Sequence, residues 1–254
     1  VIDLHSHLLP GVDDGSRSLE QSVAVLRRMA RHGVTDVCLT PHLLASQADE
    51  GVPAEQDEAF RALSPLAPSE VRLHRGAEVM LDRPLTQRVA AERKVTLGGT
   101  RYILVEFPHR VTAETVYYAL SVVKSLGLVP VLAHPERYAS CRSKTVRWWK
   151  ETGALMQVDA TTLLSSSARG ERARELLREG LGDILAADNH GDKRTIEAGF
   201  QVVVNHGGAA QADLLATQNP RAILEDQPTQ AVPPMKFRSS IAQRVRRLFD
   251  PESL

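Results

Sequence analysis

The chain has 254 residues, in which 31 lysines and arginines balance 31 aspartates and glutamates. That length suits one large domain and is common for α/β barrels. Zero net charge leaves no overall field to draw nucleic acid or a membrane to the molecule. Two cysteines, Cys38 and Cys141, make neither a disulfide framework nor a Cys-rich zinc pattern. With no signal-peptide pattern and no apolar run near the roughly 20 residues of a spanning helix, a cytoplasmic protein is expected.

Residues 1–5 read as a strand that leads into His5 and His7. Alternate side chains on a strand point the same way, so both imidazoles face one side and begin a metal site. Pro10 and Gly11 then turn the chain, and Asp13 and Asp14 bring carboxylates close. Leu19, Val23, Leu26 and Ala30 recur at helical spacing until Gly33. A second strand, 34–40, precedes His42, and a third, 71–79, carries Glu78. A helix fits 84–93, then a strand at 102–107 carries Glu106. Thr112 caps a helix through Val116, Leu120 and Val123 to Gly127. The strand at 129–133 runs into His134, and a helix fits 143–152. The strand at 154–160 holds Gln157 and Asp159, and a helix fits 165–179. The last strand, 184–187, enters Asp188-Asn189-His190, with helical stretches at 195–204, 213–217 and 220–224. Strands alternating with helices argue for right-handed βα units and a parallel sheet. A barrel is the natural closure, and pattern alone leaves an open doubly wound sheet as the alternative.

The tail differs in kind. Residues 226–234 hold three prolines and read as a linker. Beyond it Ile241, Val245, Leu248 and Phe249 share a helical face beside Lys236, Arg238, Arg244, Arg246 and Arg247. Such a basic amphipathic helix suits weak contact with a membrane surface or acidic partner; a terminal helix packed on the barrel or frayed is the plainer reading. The division expected is a barrel over 1–226 and a tail over 227–254.

In a β/α barrel, chemistry gathers at the C-terminal ends of the strands. Every strand exit here carries His, Asp or Glu. Glu78 or Glu106 alone reads as a salt-bridge partner, and His134 before Pro135 as a turn residue. Together they mean more, because buried carboxylates around one rim repel unless cations compensate them. Five histidines and four carboxylates, counting Asp14, exceed one ion's needs and suit two or three. His32, His74, His109 and His206 do not end strands and take surface or structural roles. Cys141 and Arg147 have the spacing of a cysteine-dependent phosphatase loop, but residues 142–146 hold no glycine and no strand leads in. That match is read as chance.

The motifs Asp3-Leu4-His5-Ser6-His7, Thr40-Pro41-His42, Glu78, His134-Pro135 and Asp188-x-His190 resemble the PHP (polymerase and histidinol phosphatase) superfamily. Residues 9–15, 76–79, 105–108 and 133–138 resemble most closely the bacterial metal-dependent tyrosine-protein phosphatases of capsule and exopolysaccharide clusters, the CpsB/CapC type. The resemblance runs from Val1 to about Asp226. It implies a distorted (β/α)7 barrel with three divalent ions, manganese foremost, iron or zinc as alternatives. The implied ligands are His5, His7, Asp14, His42, Glu78, Glu106, His134, Asp188 and His190, with Glu78 bridging. Asp14 and Glu106 stand where other PHP enzymes often use histidine, which favours the tyrosine-phosphatase branch. Arg137 matches the family's phosphate-binding arginine. Arg194, with Lys193 beside it, is the nearest candidate for the second but stands one residue short of the usual spacing. Catalytic roles then fall to Arg137, Arg194 and Asp14. Ala187 and Asn189 replace the more usual serine and alanine around Asp188. The implied reaction is in-line attack of hydroxide on phosphotyrosine, without a covalent enzyme intermediate, and the implied substrate is the tail of an autophosphorylated tyrosine kinase. A PHP phosphatase for a small monoester such as histidinol phosphate, and a non-catalytic metal-binding scaffold, are the competing readings; a PHP nuclease lacks a basic track.

Overall fold

The computed structural model describes residues 1–237. Its strands are β1 (Ile2–Ser6), β2 (Asp36–Leu39), β3 (His42–Leu44), β4 (Arg72–Arg75), β5 (Glu78–Met80), β6 (Tyr102–Glu106), β7 (Val129–Ala133), β8 (Leu155–Asp159) and β9 (Ile184–Ala186). All pairings are parallel, in two runs ordered β1-β2-β4 and β3-β5-β6-β7-β8-β9. The stretch expected as a single strand at 71–79 is broken in two, and the strand expected at 34–40 is followed, past Pro41, by a further short strand, β3, that was not expected. Pro41 has no N–H for the ladder, and the Thr40 hydroxyl accepts the Ser6 N–H at 3.0 Å instead. At the break within 71–79, a Cβ on Gly76 would stand 3.0 Å from Cys38 Sγ and 3.2 Å from Thr40 Cγ2. Any side chain there would force these neighbours to give by a few tenths of an ångström.

The ring closes where the first and last strands meet. Ser6 bridges Asn189, and the His7 N–H donates to the Asn189 carbonyl at 2.8 Å. Asp3 Oδ1 accepts the Ala187 N–H at 3.1 Å. With β2 and β3 in one stave and β4 and β5 in the next, the nine strands make a distorted β/α barrel of seven staves. Two apolar clusters follow from the period of two along strands: Leu104, Val131 and Ala133 belong to a smaller one, whereas Ile103, Val105 and Leu132 join the larger one with the helices.

Helices cover the outside as their caps dictate. Ser18 accepts Gln21 N–H to start Leu19–Arg31, and Thr112 accepts Thr115 N–H to start Ala113–Ser125. Helices over Gln87–Glu92, Ser143–Glu151, Ala168–Arg178, Ile196–Asn205 and Asn219–Leu224 lie where periodicity predicts them. The helix Ala54–Leu63 is an addition to that expectation: it buries only Gln56 and Leu63, too little apolar surface to mark a stripe. The proline-rich segment read as a linker, and the residues just after it, touch the body. Val232, Met235 and Phe237 are buried, and Phe237 packs on the His206 ring. The amphipathic stretch from Ile241 onward lies outside the described residues. Among the described residues, no helix is long and apolar enough to cross a membrane.

Far from the exit rim, at the start of β2, Asp36 is buried among donors. It accepts from His74 Nε2 and Arg72 Nε at 2.9 Å each, and from the Thr35 hydroxyl at 2.8 Å. Burial opposes its ionisation, but the bonds from His74 and Arg72 outweigh it and hold the carboxyl below its usual range. A depressed carboxyl stabilises the fold above its unfolded pKa and loses that contribution as pH falls through the folded one. Asp36→Asn is therefore expected to lower the melting temperature by several degrees at pH 7. Thermal unfolding across pH should show the gap to wild type constant down to about pH 4 and narrowing below it.

Candidate metal centre

The end of β1 and the loop after it set His5 and His7 side by side, with their Nε2 atoms 3.1 Å apart. Glu78, the first residue of β5, lies under both. Its Oε2 is 3.2 Å from His5 Nε2, 3.3 Å from His7 Nε2 and 3.2 Å from His42 Nδ1. Its Oε1 is 2.8 Å from His134 Nε2. Asp188, just past β9, puts Oδ1 at 3.3 Å from both His5 Nε2 and His7 Nε2. Glu106 ends β6 with Oε1 at 3.2 Å from His42 Nδ1. Asp14, at the exposed edge, stands 3.3 Å from His42 Nε2 and 3.4 Å from His190 Nε2. All nine residues expected as ligands thus form one connected array.

Three groups have ligand atoms within 4.8 Å of one another: His5, His7, Glu78 and Asp188; His42, Glu78 and Glu106; and His7, Asp14, His42 and His190. His134 joins through Glu78. A neutral imidazole ligates through one nitrogen only, so His42 serves one of its two groups at a time.

Accounting for protons shows what the array accepts. His7 Nδ1 donates to the Asp13 carboxylate at 2.8 Å, and His190 Nδ1 to the Asp188 backbone carbonyl at 3.0 Å. His5 Nδ1 is 3.0 Å from the Gln157 side-chain oxygen. In the neutral rings each Nε2 therefore presents a lone pair, and these lone pairs face carboxylate oxygens and one another. Such a meeting of acceptors is repulsive without a cation, and the partner on each far nitrogen is the arrangement that orients metal-ligating histidines. Among the described residues, Asp188 Oδ1 and His134 Nδ1 are buried with no hydrogen-bond partner. The residues fit divalent ions.

The electrostatics say the same. Burial alone would raise the Glu78 carboxyl, but the surrounding histidines, His5 first, outweigh it and hold it well below its usual range. Asp188 is likewise held down against burial by His5, His7 and Arg137. Burial would lower His7 and His42, yet Asp13 and the other carboxylates raise His7 well above the ordinary value, and Glu106 and Glu78 raise His42 to about 10. The pocket demands positive charge. Its backbone is unusual too: His134 and Asp188 take left-handed φ of 34° and 48°, which costs about 1–2 kcal/mol per residue outside glycine and clusters at functional sites. Gly15 packs over His7, where a Cβ would come within 2.1 Å of the His7 carbonyl oxygen.

Two arginines converge on the other oxygen of Asp188. Arg137 Nη2 donates to Asp188 Oδ2 and, at 2.6 Å, to Asp159 Oδ2. Arg194 Nη1 reaches Asp188 Oδ2 at 3.4 Å while its Nε bonds Asp192 at 2.9 Å. Arg194, one residue short of the usual spacing, stands on a loop in which Asn189 Nδ2 donates to its backbone carbonyl. Cys141 has no such setting. It is 1% exposed, burial pushes its thiol up to about 12, and Arg147 pairs with Glu179.

Asp13 and Gln157 are functional partners that the strand-exit pattern does not single out as such. Asp13 stands next to Asp14, and only the fold shows which acid faces the His7 ring and which the rim. Gln157 is two residues before the end of β8, and its role rests on a contact 152 residues away in sequence. Asp13→Asn is expected to weaken manganese binding about 10- to 100-fold, read by equilibrium dialysis.

A family model described as capsular polysaccharide synthesis, CpsB/CapC, matches residues 1–225. The tyrosine-protein phosphatase CpsB of Streptococcus pneumoniae is 30% identical over 241 residues, covering 89% of this chain and 99% of that protein. The tyrosine-protein phosphatase YwqE of Bacillus subtilis (strain 168) is 28% identical over 247 residues, covering 92% and 95%. Among solved structures, one reported for YwqE from Bacillus subtilis and CpsB from Streptococcus pneumoniae as unique metal-dependent tyrosine phosphatases matches with a TM-score of 0.77 at 26% identity, over 94% of this chain and 100% of that one. Dihydropyrimidinase from Brevibacillus agri NCHU1002 matches with a TM-score of 0.53 at 13% identity, over 92% and 73%, a likeness of fold alone. A match over nearly the whole barrel, by chains of nearly the same length, leads to one conclusion: the chain belongs to the CpsB/CapC family.

Proposed function

We propose that this chain is a metal-dependent protein-tyrosine phosphatase. Its substrate would be phosphotyrosine in the tail of an autophosphorylated tyrosine kinase that governs capsule or exopolysaccharide synthesis. One observation carries the reading: a buried array of imidazole lone pairs and carboxylates abuts two guanidinium groups through the shared carboxylate of Asp188. The relatives named above are tyrosine-protein phosphatases, which supports phosphotyrosine over other phosphoesters.

Three ions, manganese foremost, would be held by His5, His7, Glu78 and Asp188, by Glu78 and Glu106 with His134, and by Asp14, His42 and His190. Bound divalent ions supply Lewis acidity that lowers the pKa of a water and offsets phosphoryl charge. Arg137 and Arg194 hold non-bridging oxygens, since a planar guanidinium fork matches phosphate geometry. Asp14, 70% exposed on its side chain, and His190 stand at the open edge, where a departing phenolate meets solvent. A tyrosine phenol has a pKa near 10, so it leaves more readily than an alkyl alcohol and asks little of a general acid. Asp13 and Gln157 keep the His7 and His5 rings turned with Nε2 inward.

Manganese-loaded protein is expected to dephosphorylate tyrosine-phosphorylated kinase-tail peptides in preference to histidinol phosphate. Chelation, or His5→Ala, should lower the rate by on the order of 100-fold or more, while Cys141→Ser stays within about twofold of wild type. A preference for histidinol phosphate would move the chain to the small-monoester reading. Full metal content without activity on any phosphoester would make it a scaffold.

A further inference from the structure

The geometry points to Asp159 as a positioning residue for phosphate recognition, clamping Arg137 so that one edge of its guanidinium is held ready for the phosphoryl group. This inference rests on the phosphatase reading above. Asp159 ends β8, is 2% exposed, and is fixed by four bonds of its own. Its Oδ1 accepts the Thr161 N–H and hydroxyl at 2.8 Å each and the Thr162 N–H at 3.2 Å. Its own N–H donates to Glu136 Oε1 at 2.8 Å. The remaining oxygen, Oδ2, takes Arg137 Nη2 at 2.6 Å.

The clamp is asymmetric. Both bonds to Arg137, from Asp159 and from Asp188, fall on Nη2. Among the described residues, Nη1 and Nε have no bonded partner, although the side chain is only 27% exposed. An arginine side chain carries about 2 kcal/mol of rotamer entropy, and anchoring one end of the fork removes much of that cost before a phosphate arrives. The opposing effect is repulsion between the Asp159 carboxylate and a phosphate. Three donors on Oδ1 and the guanidinium on Oδ2 disperse that charge, so anchoring outweighs repulsion. A carboxylate that merely closed the end of β8 would need only the two threonines.

The test uses manganese-loaded full-length protein and inorganic phosphate as the probe. Calorimetry should give Asp159→Asn a Kd for phosphate about three- to tenfold weaker than wild type, the size expected from ordering one long side chain. With phosphotyrosine peptide, KM should rise by the same factor while kcat changes less than about threefold. In an Arg137→Ala background the Asp159→Asn effect should vanish, which a merely structural role would not produce. Thr161→Val, which removes one support of Oδ1 and keeps the charge, should shift Kd in the same direction by less, and it decides the matter if Asp159→Asn does not fold. Unchanged or tighter phosphate binding in these variants, or an equal loss in the Arg137→Ala background, would overturn the role. If the calorimetric pattern holds but no phosphotyrosine peptide is hydrolysed, the phosphatase reading fails and the clamp stands.

Discussion

The structure depends on a charge that its own side chains do not neutralise in the ordinary way. Glu78 and Asp188 are almost wholly buried, and each meets the Nε2 atoms of His5 and His7, whose Nδ1 atoms face Gln157 and Asp13 on the far side of the ring. Removing a carboxylate from water costs several kcal/mol even after relaxation, and that cost is recovered only against nearby positive charge. The rest follows from this requirement. The parity of β1 puts His5 and His7 on one side, the Pro41 and Gly76 breaks carry His42 and Glu78 up to them, and two residues in left-handed backbone bring His134 and Asp188 inward.

Asp36 shows what a structural solution to the same problem looks like. It too is buried and surrounded by nitrogen, but Arg72 and Thr35 reach it with hydrogens. At that end of the barrel the bonds are complete. At the exit rim the carboxylates face imidazole nitrogens that, in the neutral rings, present lone pairs, so a cation is needed there. The asymmetry lies in what supplies the positive charge, not in how many polar groups are buried. Asp188 joins the two regimes: Oδ1 faces the histidines and has no hydrogen-bond partner among the described residues, while Oδ2 takes both arginines.

Much of this was legible in the chain. The alternation of apolar runs with helical spacing gave parallel βα units, for which a barrel was the natural closure. The strand exits gave a set of histidines and acids from which the family resemblance, with Asp14 added, implied nine ligands. What escaped the sequence did so for local reasons. A glycine splits the run over 71–79, a short strand beyond Pro41 lies outside the apolar run before it, and the helix Ala54–Leu63 buries too few residues to mark a stripe. Asp13 was visible as an acid but not as the orienter of His7, and Gln157 as a polar residue near a strand end but not as the partner of His5, 152 residues away. Proline content suggested a linker after Asp226, and it does not by itself show that Val232, Met235 and Phe237 are buried.

Closure of the ring between β1 and β9 has a consequence for how the protein comes into being. His5 and Asp188 reach the same point from opposite ends of the barrel's sequence, through contacts such as Ser6 with Asn189. Closing so long a loop is entropically costly, and pairings of this kind form late. A nascent chain still missing its last strand holds the first two histidines without their carboxylate from the far end. The centre can thus be completed only once the last strand has joined the first, so that its assembly reports a closed ring.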